Sequence, residues 1–146
     1  MAFTIESTFD GRALFEEPCI VGAATVTTGE LVALTAGAGL PTATLSGIAT
    51  VPHGIITTGG VTGATGAFIR IMPGDILKAP AMAADGTTAL ATAENTALIA
   101  LVGTQAMKIS ATGTNFDGVT TSGGKLELVS FDSVNEIVRV RVPIVS

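Results

Sequence analysis

The stretch GIITTGGVTGATGAFIRI, residues 54–71, carries five glycines, four threonines and a single charge, Arg70. Glycine-dense loops of this kind do chemistry when their backbone amides converge on a phosphate. That requires G-x-G-x-x-G between a strand and a helix, or G-x-x-x-x-G-K-[ST]. The glycines here fall at 54, 59, 60, 63 and 66 and match neither spacing, and GAGLPT at 37–42 lacks the last glycine. The segment reads as a strand connection leading into a strand at Phe68–Ile71, with glycine supplying the positive φ that threonine resists.

The remaining reactive side chains are sparse. His53 is the only histidine and sits between Pro52 and Gly54, beside a turn, with no second histidine or cysteine cluster to build a zinc site. Cys19 is the only cysteine, so no intrachain disulfide forms, and a small buried hydrophobe describes it better than a nucleophile. No G-x-S-x-G is present. Asp75, Asp85, Glu94 and Asp117 are the carboxylates that an acid–base pair would draw on. Turn formation already accounts for Asp75 in PGD and Asp85 in ADG. TNFDG at 114–118 has one acid where a calcium loop needs several. The chain has neither Trp nor Tyr, the usual platforms for sugars and bases. These patterns point to a non-enzyme without catalytic residues, metal or cofactor.

The composition narrows the class further. The 146 residues fit one domain that can bury a core without staples. Charged residues are 13%, about half the usual share, so Thr, Ser, Ala and Gly must cover the surface. Such a surface suits contact with other protein. Seven scattered basic residues against twelve acids, net charge −5, disfavour nucleic acid. The longest purely apolar run, Ala97 to Val102, is far short of the ~20 residues that span a bilayer. MAFTIESTFDGR shows no basic region followed by an apolar core, which predicts synthesis without secretory export.

The elements that must position these residues are strands. Residues 1–22 hold Phe3, Phe9, Phe15, four of the twelve acids and the cysteine. Phe3 and Ile5 alternate with Thr4 and Glu6, which fits an extended arm that adds to a neighbouring sheet and fits an ordinary first strand equally. Residues 23–146 read as a single β-domain, rich in β-branched residues and punctuated by turns. The segments include a turn at 27–29 followed by a strand at Glu30–Thr35, and a strand pair or bulged strand around Gly47. KLELV and EIVRVRV alternate apolar and charged side chains and form a closing antiparallel hairpin. Residues 87–103 contain helix formers among four threonines and end in LIALV. They are assigned to strand, with a helix over about Ala89–Leu98 as the competing solution. Gly29-Glu30-Leu31-Val32 echoes Gly74-Asp75-Ile76-Leu77, a faint sign of two related β-modules that chance also explains. The fold class expected is all-β: a small antiparallel β-barrel or β-sandwich with an extended N-terminal arm.

The order GELVAL, LSGIA, HGII, GAFIRI, PGDIL, NTALIALVG and EIVRVRV resembles the small β-barrel head-decoration, or cement, proteins of tailed bacteriophages over Ala23 to Val142. The resemblance lies in strands and turns, with no arm motif that aligns. It implies a structural protein on the exterior of an icosahedral capsid, assembled in the host cytoplasm, often as a homotrimer. Such proteins brace neighbouring major capsid subunits through an N-terminal arm. The capsid-contact candidates are then Phe3, Ile5, Phe9 and Phe15. Another virion β-protein (tail tube, connector or baseplate) shares most of these features, and a trimeric β-fold hydrolase or ligand-binding barrel shares fewer.

Overall fold

The computed structural model describes residues 3–144. The fold is all-β apart from one short helix, with strands β1 (Thr4–Ser7), β2 (Glu16–Val21), β3 (Leu31–Thr35), β4 (Thr42–Leu45), β5 (Gly54–Thr58) and β6 (Thr65–Arg70) in the first half. The second half contains β7 (Ile76–Met82), helix α1 (Thr92–Ile99), β8 (Gln105–Ile109), β9 (Phe116–Asp117), β10 (Leu126–Asp132) and β11 (Ile137–Arg141).

The strands close into two small barrels. In the first, β2 pairs with β4, β4 with β3, β3 with β5, β5 with β6, and β6 returns to β2. In the second, β7 pairs with β9, β9 with β8, β8 with β10, β10 with β11, and β11 returns to β7. Both rings follow one plan. The first strand lies parallel to the third, as in β2–β4 and β7–β9, and every other pair is antiparallel. Closure pairs most of the strand edges that would otherwise be open to aggregation.

The first barrel is filled by Cys19, Val21, Val32, Ala43, Ile56 and Phe68. Around the second lies a larger core of Leu77, Met107, Phe116, Leu128, Val138 and Val140, and Leu31, Ile55 and Ile71 join it from the first barrel's side. The two barrels thus share buried surface. The alternation of KLELV and EIVRVRV appears as expected: Leu126, Leu128, Val138, Val140 and Val142 are buried, and the hairpin pairs Leu128 with Val140.

Several expectations change. The boundary at residues 22/23 falls at the end of β2, inside the first barrel, and the chain passes between barrels at 71–75. Residues 92–99 are helical, because the Glu94 side chain accepts the Ala91 amide at 2.7 Å and completes the first turn. Leu98 is fully buried beneath it, so one apolar anchor outweighs the threonines, and Thr96 bonds back to the Thr92 carbonyl. Around Gly47 there is one strand, β4, followed by a turn in which Thr50 Oγ1 donates to the Gly47 carbonyl at 2.8 Å. The echo GELV/GDIL falls on β3 and β7, the second strand of one barrel and the first of the other. Its shared content is a turn: the Glu30 and Asp75 amides donate back to the carbonyls of Thr27 and Met72, with Gly29 at φ 89° and Gly74 at φ 88°.

No helix among the described residues is long and apolar enough to cross a membrane.

Candidate functional site

The chain between β1 and β2 forms the most distinctive surface. β1 is an edge strand laid antiparallel on β7, with Thr4 opposite Lys78 and Ile5 opposite Leu77. Its alternation drives Phe3 into the second barrel's core, where the ring meets Phe116 edge-to-face at 4.8 Å. Ile5 is half-buried against the same core. After Ser7 the chain turns over the inter-barrel linker and leaves Phe9 68% exposed and Phe15 70% exposed. Leu14 and Met72 are exposed beside them.

Two charges hold this segment in place. Asp75, whose side chain is wholly buried, takes both Arg12 guanidinium nitrogens at 2.7 and 2.5 Å, the Met72 amide at 2.9 Å and the Phe9 amide at 3.4 Å. Arg12 also donates to the Arg70 carbonyl at 3.1 Å. Burial pushes the Asp75 carboxyl up, and the Arg12 guanidinium with the Met72 and Phe9 amides outweighs it, so its pKa lies below the ordinary carboxylate value. The bidentate geometry fixes orientation as well as distance. Gly74 completes the clamp: a β-carbon there would stand 2.6 Å from Phe9 Cβ, so only glycine lets the Phe9 side chain lie across the turn.

The result is an ordered apolar ridge, Phe9, Leu14, Phe15 and Met72, beside a cleft of ≈ 320 Å³ lined by Arg12, Leu14, Phe15, Ile69, Arg70 and Met72. A second cleft of ≈ 420 Å³, lined by Phe3, Ile5, Leu14, Ile55 and Ile69, lies on the other side of Leu14. At the rim, Arg70 pairs with Glu17 at 3.0 Å and stacks 5.4 Å from the centroid of Phe68. Of the four contact candidates, the structure brings Phe9 and Phe15 to this surface, places Phe3 in the core and leaves Ile5 between the two. Leu14, Met72 and the Arg12–Asp75 clamp were not singled out from sequence. PGD accounts for Asp75 as a turn residue, and no spacing signals a partner 63 positions away.

The other reactive groups are engaged in holding the backbone. The Gly/Thr-rich stretch is the β5–β6 hairpin. Its Gly60, Gly63 and Ala64 amides donate to the carbonyls of Val26, Val21 and Val61, so they do not converge on an anion. Gly59 lies so close to Val26 that a β-carbon would collide with its carbonyl oxygen. His53 Nδ1 accepts the Leu34 amide at 2.9 Å. Burial pushes the Cys19 thiol up, which leaves it inert. Asp85 accepts from Thr88 Oγ1 and the Thr87 and Thr88 amides and titrates at about 2. Asp117 accepts the Val119 and Thr120 amides. No group of three His, Cys, Asp or Glu side chains among the described residues is placed to hold a metal ion.

The fold and surface together define a class: an all-β protein of two small barrels that carries a fixed apolar ridge. No family model, curated protein or solved structure matches the chain.

Proposed function

We propose that the protein is a structural component of a phage virion that decorates the outside of an icosahedral capsid and bridges major capsid subunits. The observation that carries this reading is the exposed Phe9–Leu14–Phe15–Met72 ridge, pinned by the buried Arg12–Asp75 pair. Exposed phenylalanines on a segment that is already ordered lose little conformational freedom on docking, which favours binding over solvation. The sparsely charged Thr/Gly/Ala surface adds few long side chains that would lose entropy at an interface. A shell presents many copies of one site, so avidity multiplies a modest affinity per contact. Homotrimeric assembly at three-fold positions belongs to the same proposal.

The test uses point variants, since removing residues 1–22 would delete β2, which closes the first barrel, and β1 with Phe3, which covers the β7 edge and fills part of the second barrel's core. Wild type and a Phe9→Ser/Phe15→Ser double variant are sedimented with empty, expanded phage heads. Wild type should co-sediment to saturation, and the double variant should bind at least about tenfold more weakly while melting normally. Failure of folded wild type to bind heads refutes the capsid reading. Binding of labelled protein to tails, seen by electron microscopy, would replace it with a tail component.

A further inference from the structure

The two barrels share their strand order, and their first strands can be aligned bond by bond. The Ile20 amide donates to Pro41 on the β4 side, and the Met82 carbonyl accepts from Gly118 on the β9 side. Ile20 pairs with Thr42 and Met82 with Asp117 in the two parallel contacts, so these two residues occupy the same place. Counting back two residues brings Pro18 onto Pro80, each lacking an amide hydrogen on the side away from β6 or β11. That is the side on which an edge strand tolerates proline. The antiparallel partners agree: Pro18 faces Ala67 and Pro80 faces Ile137, while Glu16 faces Ile69 and Lys78 faces Arg139.

This alignment exposes a difference. Ile76, Leu77 and Lys78 lie on the part of β7 that β9 does not reach, and β1 covers them. The equivalent residues in the first barrel are Leu14, Phe15 and Glu16, and no strand among the described residues covers that edge. The Ile20 amide points toward β4 and backbone groups alternate sides along a strand. The Glu16 amide and carbonyl and the Pro18 carbonyl therefore face outward. Leu14 is 42% and Phe15 70% exposed there.

The charge at the two positions is opposite. The covered edge is cationic, with Lys78 and Arg139, and its occupant brings Glu6, which Arg139 meets at 2.7 Å. The open edge presents Glu16, which makes no ion pair among the described residues, while the adjacent Glu17 is held by Arg70. An acidic strand like β1 is therefore the wrong occupant. The chain's own Arg139 and Arg141, on β11, are already paired with Glu6 of β1 and Glu127 of β10.

We infer that the outer edge of residues 14–18 is an acceptor for one added β-strand from a different protein, an extended apolar segment with Lys or Arg opposite Glu16. Main-chain bonds to the Glu16 and Pro18 groups would give the pairing, and the ridge would cover its apolar side chains. The inference rests on the capsid reading only for the owner of the strand, a segment of the major capsid protein.

The test adds capped peptides of alternating valine and lysine, or of valine and glutamate, to the full chain and follows backbone amide shifts by NMR. The lysine peptide should shift Leu14 to Cys19, the glutamate peptide should not, and Glu16→Lys should reverse the preference by about fivefold each way. Equal effects of both peptides, or shifts that avoid residues 14–19, overturn the inference. So does self-association of the wild type that Glu16→Lys abolishes, because the occupant is then a second copy. Expanded heads separate the two proposals. Peptide binding without head binding leaves the acceptor edge standing and removes the capsid, whereas equal head binding by wild type and Glu16→Lys keeps the capsid and removes the edge.

Discussion

Replacing Arg12 with alanine probes the clamp that fixes the ridge, and its cost follows from where the two charges lie. Asp75 has no exposed side-chain surface, whereas a quarter of the Arg12 side chain reaches solvent. The variant leaves a buried carboxylate held by the Met72 and Phe9 amides alone. Breaking a fully buried pair costs about 3–5 kcal/mol, and the partial exposure of Arg12 reduces this to roughly 2–3 kcal/mol. For a chain of this size that corresponds to a fall in Tm of roughly 8 °C. The pH dependence identifies the cause. In the wild type the Asp75 pKa is depressed below its ordinary 3.8, so its contribution is present above that value and is lost as pH falls through the folded pKa. Without Arg12, burial dominates and raises the pKa, and the variant instead gains stability as pH falls through the raised value. The gap between the two proteins should therefore be widest at neutral pH and shrink on acidification, as read from urea midpoints between pH 7 and pH 4. An Arg12→Ala/Asp75→Asn double variant should recover part of the loss, because it buries no charge. A loss below about 0.5 kcal/mol, or a gap independent of pH, would refute the argument that the pair is buried and ionised.

Phe3→Ala should cost about 3–5 kcal/mol in urea unfolding, since it empties the core space against Phe116, whereas Phe9→Ala should leave stability within about 1 kcal/mol. Gly74→Ala should destabilise by about 1–3 kcal/mol, because φ 88° strains an L-residue and the new β-carbon collides with Phe9; the same substitution at Gly103, also left-handed but with nothing near, should cost less. Thr88→Val removes the strongest hydrogen bond to the Asp85 carboxylate, so its pKa, measured by NMR titration, should rise from about 2 toward 3.8.

Sequence patterning made the local elements legible wherever one face of a strand is buried and the other wet. KLELV and EIVRVRV satisfy that condition, and their alternation survives in the fold. It fails at α1, where a single buried leucine and a glutamate that caps the first turn decide the outcome. The ridge was half legible. An excess of phenylalanine marked residues 1–22, but Phe3 and Phe9 differ in burial only because β1 finds the edge of β7, a contact more than 70 residues away in sequence. Arg12 and Asp75 gave no signal, since an isolated arginine and a turn aspartate are commonplace.

The shared topology of the two barrels was invisible for a different reason. Each barrel closes through a parallel contact between its first and third strands, only two residue pairs long in both cases, Ile20–Val21 with Thr42–Ala43 and Ala81–Met82 with Phe116–Asp117. Nothing in these residue types repeats between the barrels. Hydrophobic filling constrains volume more than identity, so two rings with one topology need share no residue pattern. Pro18 and Pro80 are tolerated because both sit where a strand changes neighbours and an amide hydrogen would have no acceptor. The same position explains why β1 is needed by one barrel and absent from the other: beyond the proline, the third strand no longer reaches, and the edge must be covered from elsewhere or left exposed. The second barrel meets that need with the chain's own N-terminus, which leaves Leu14, Phe15 and Glu16 as the one equivalent edge still unpaired among the described residues.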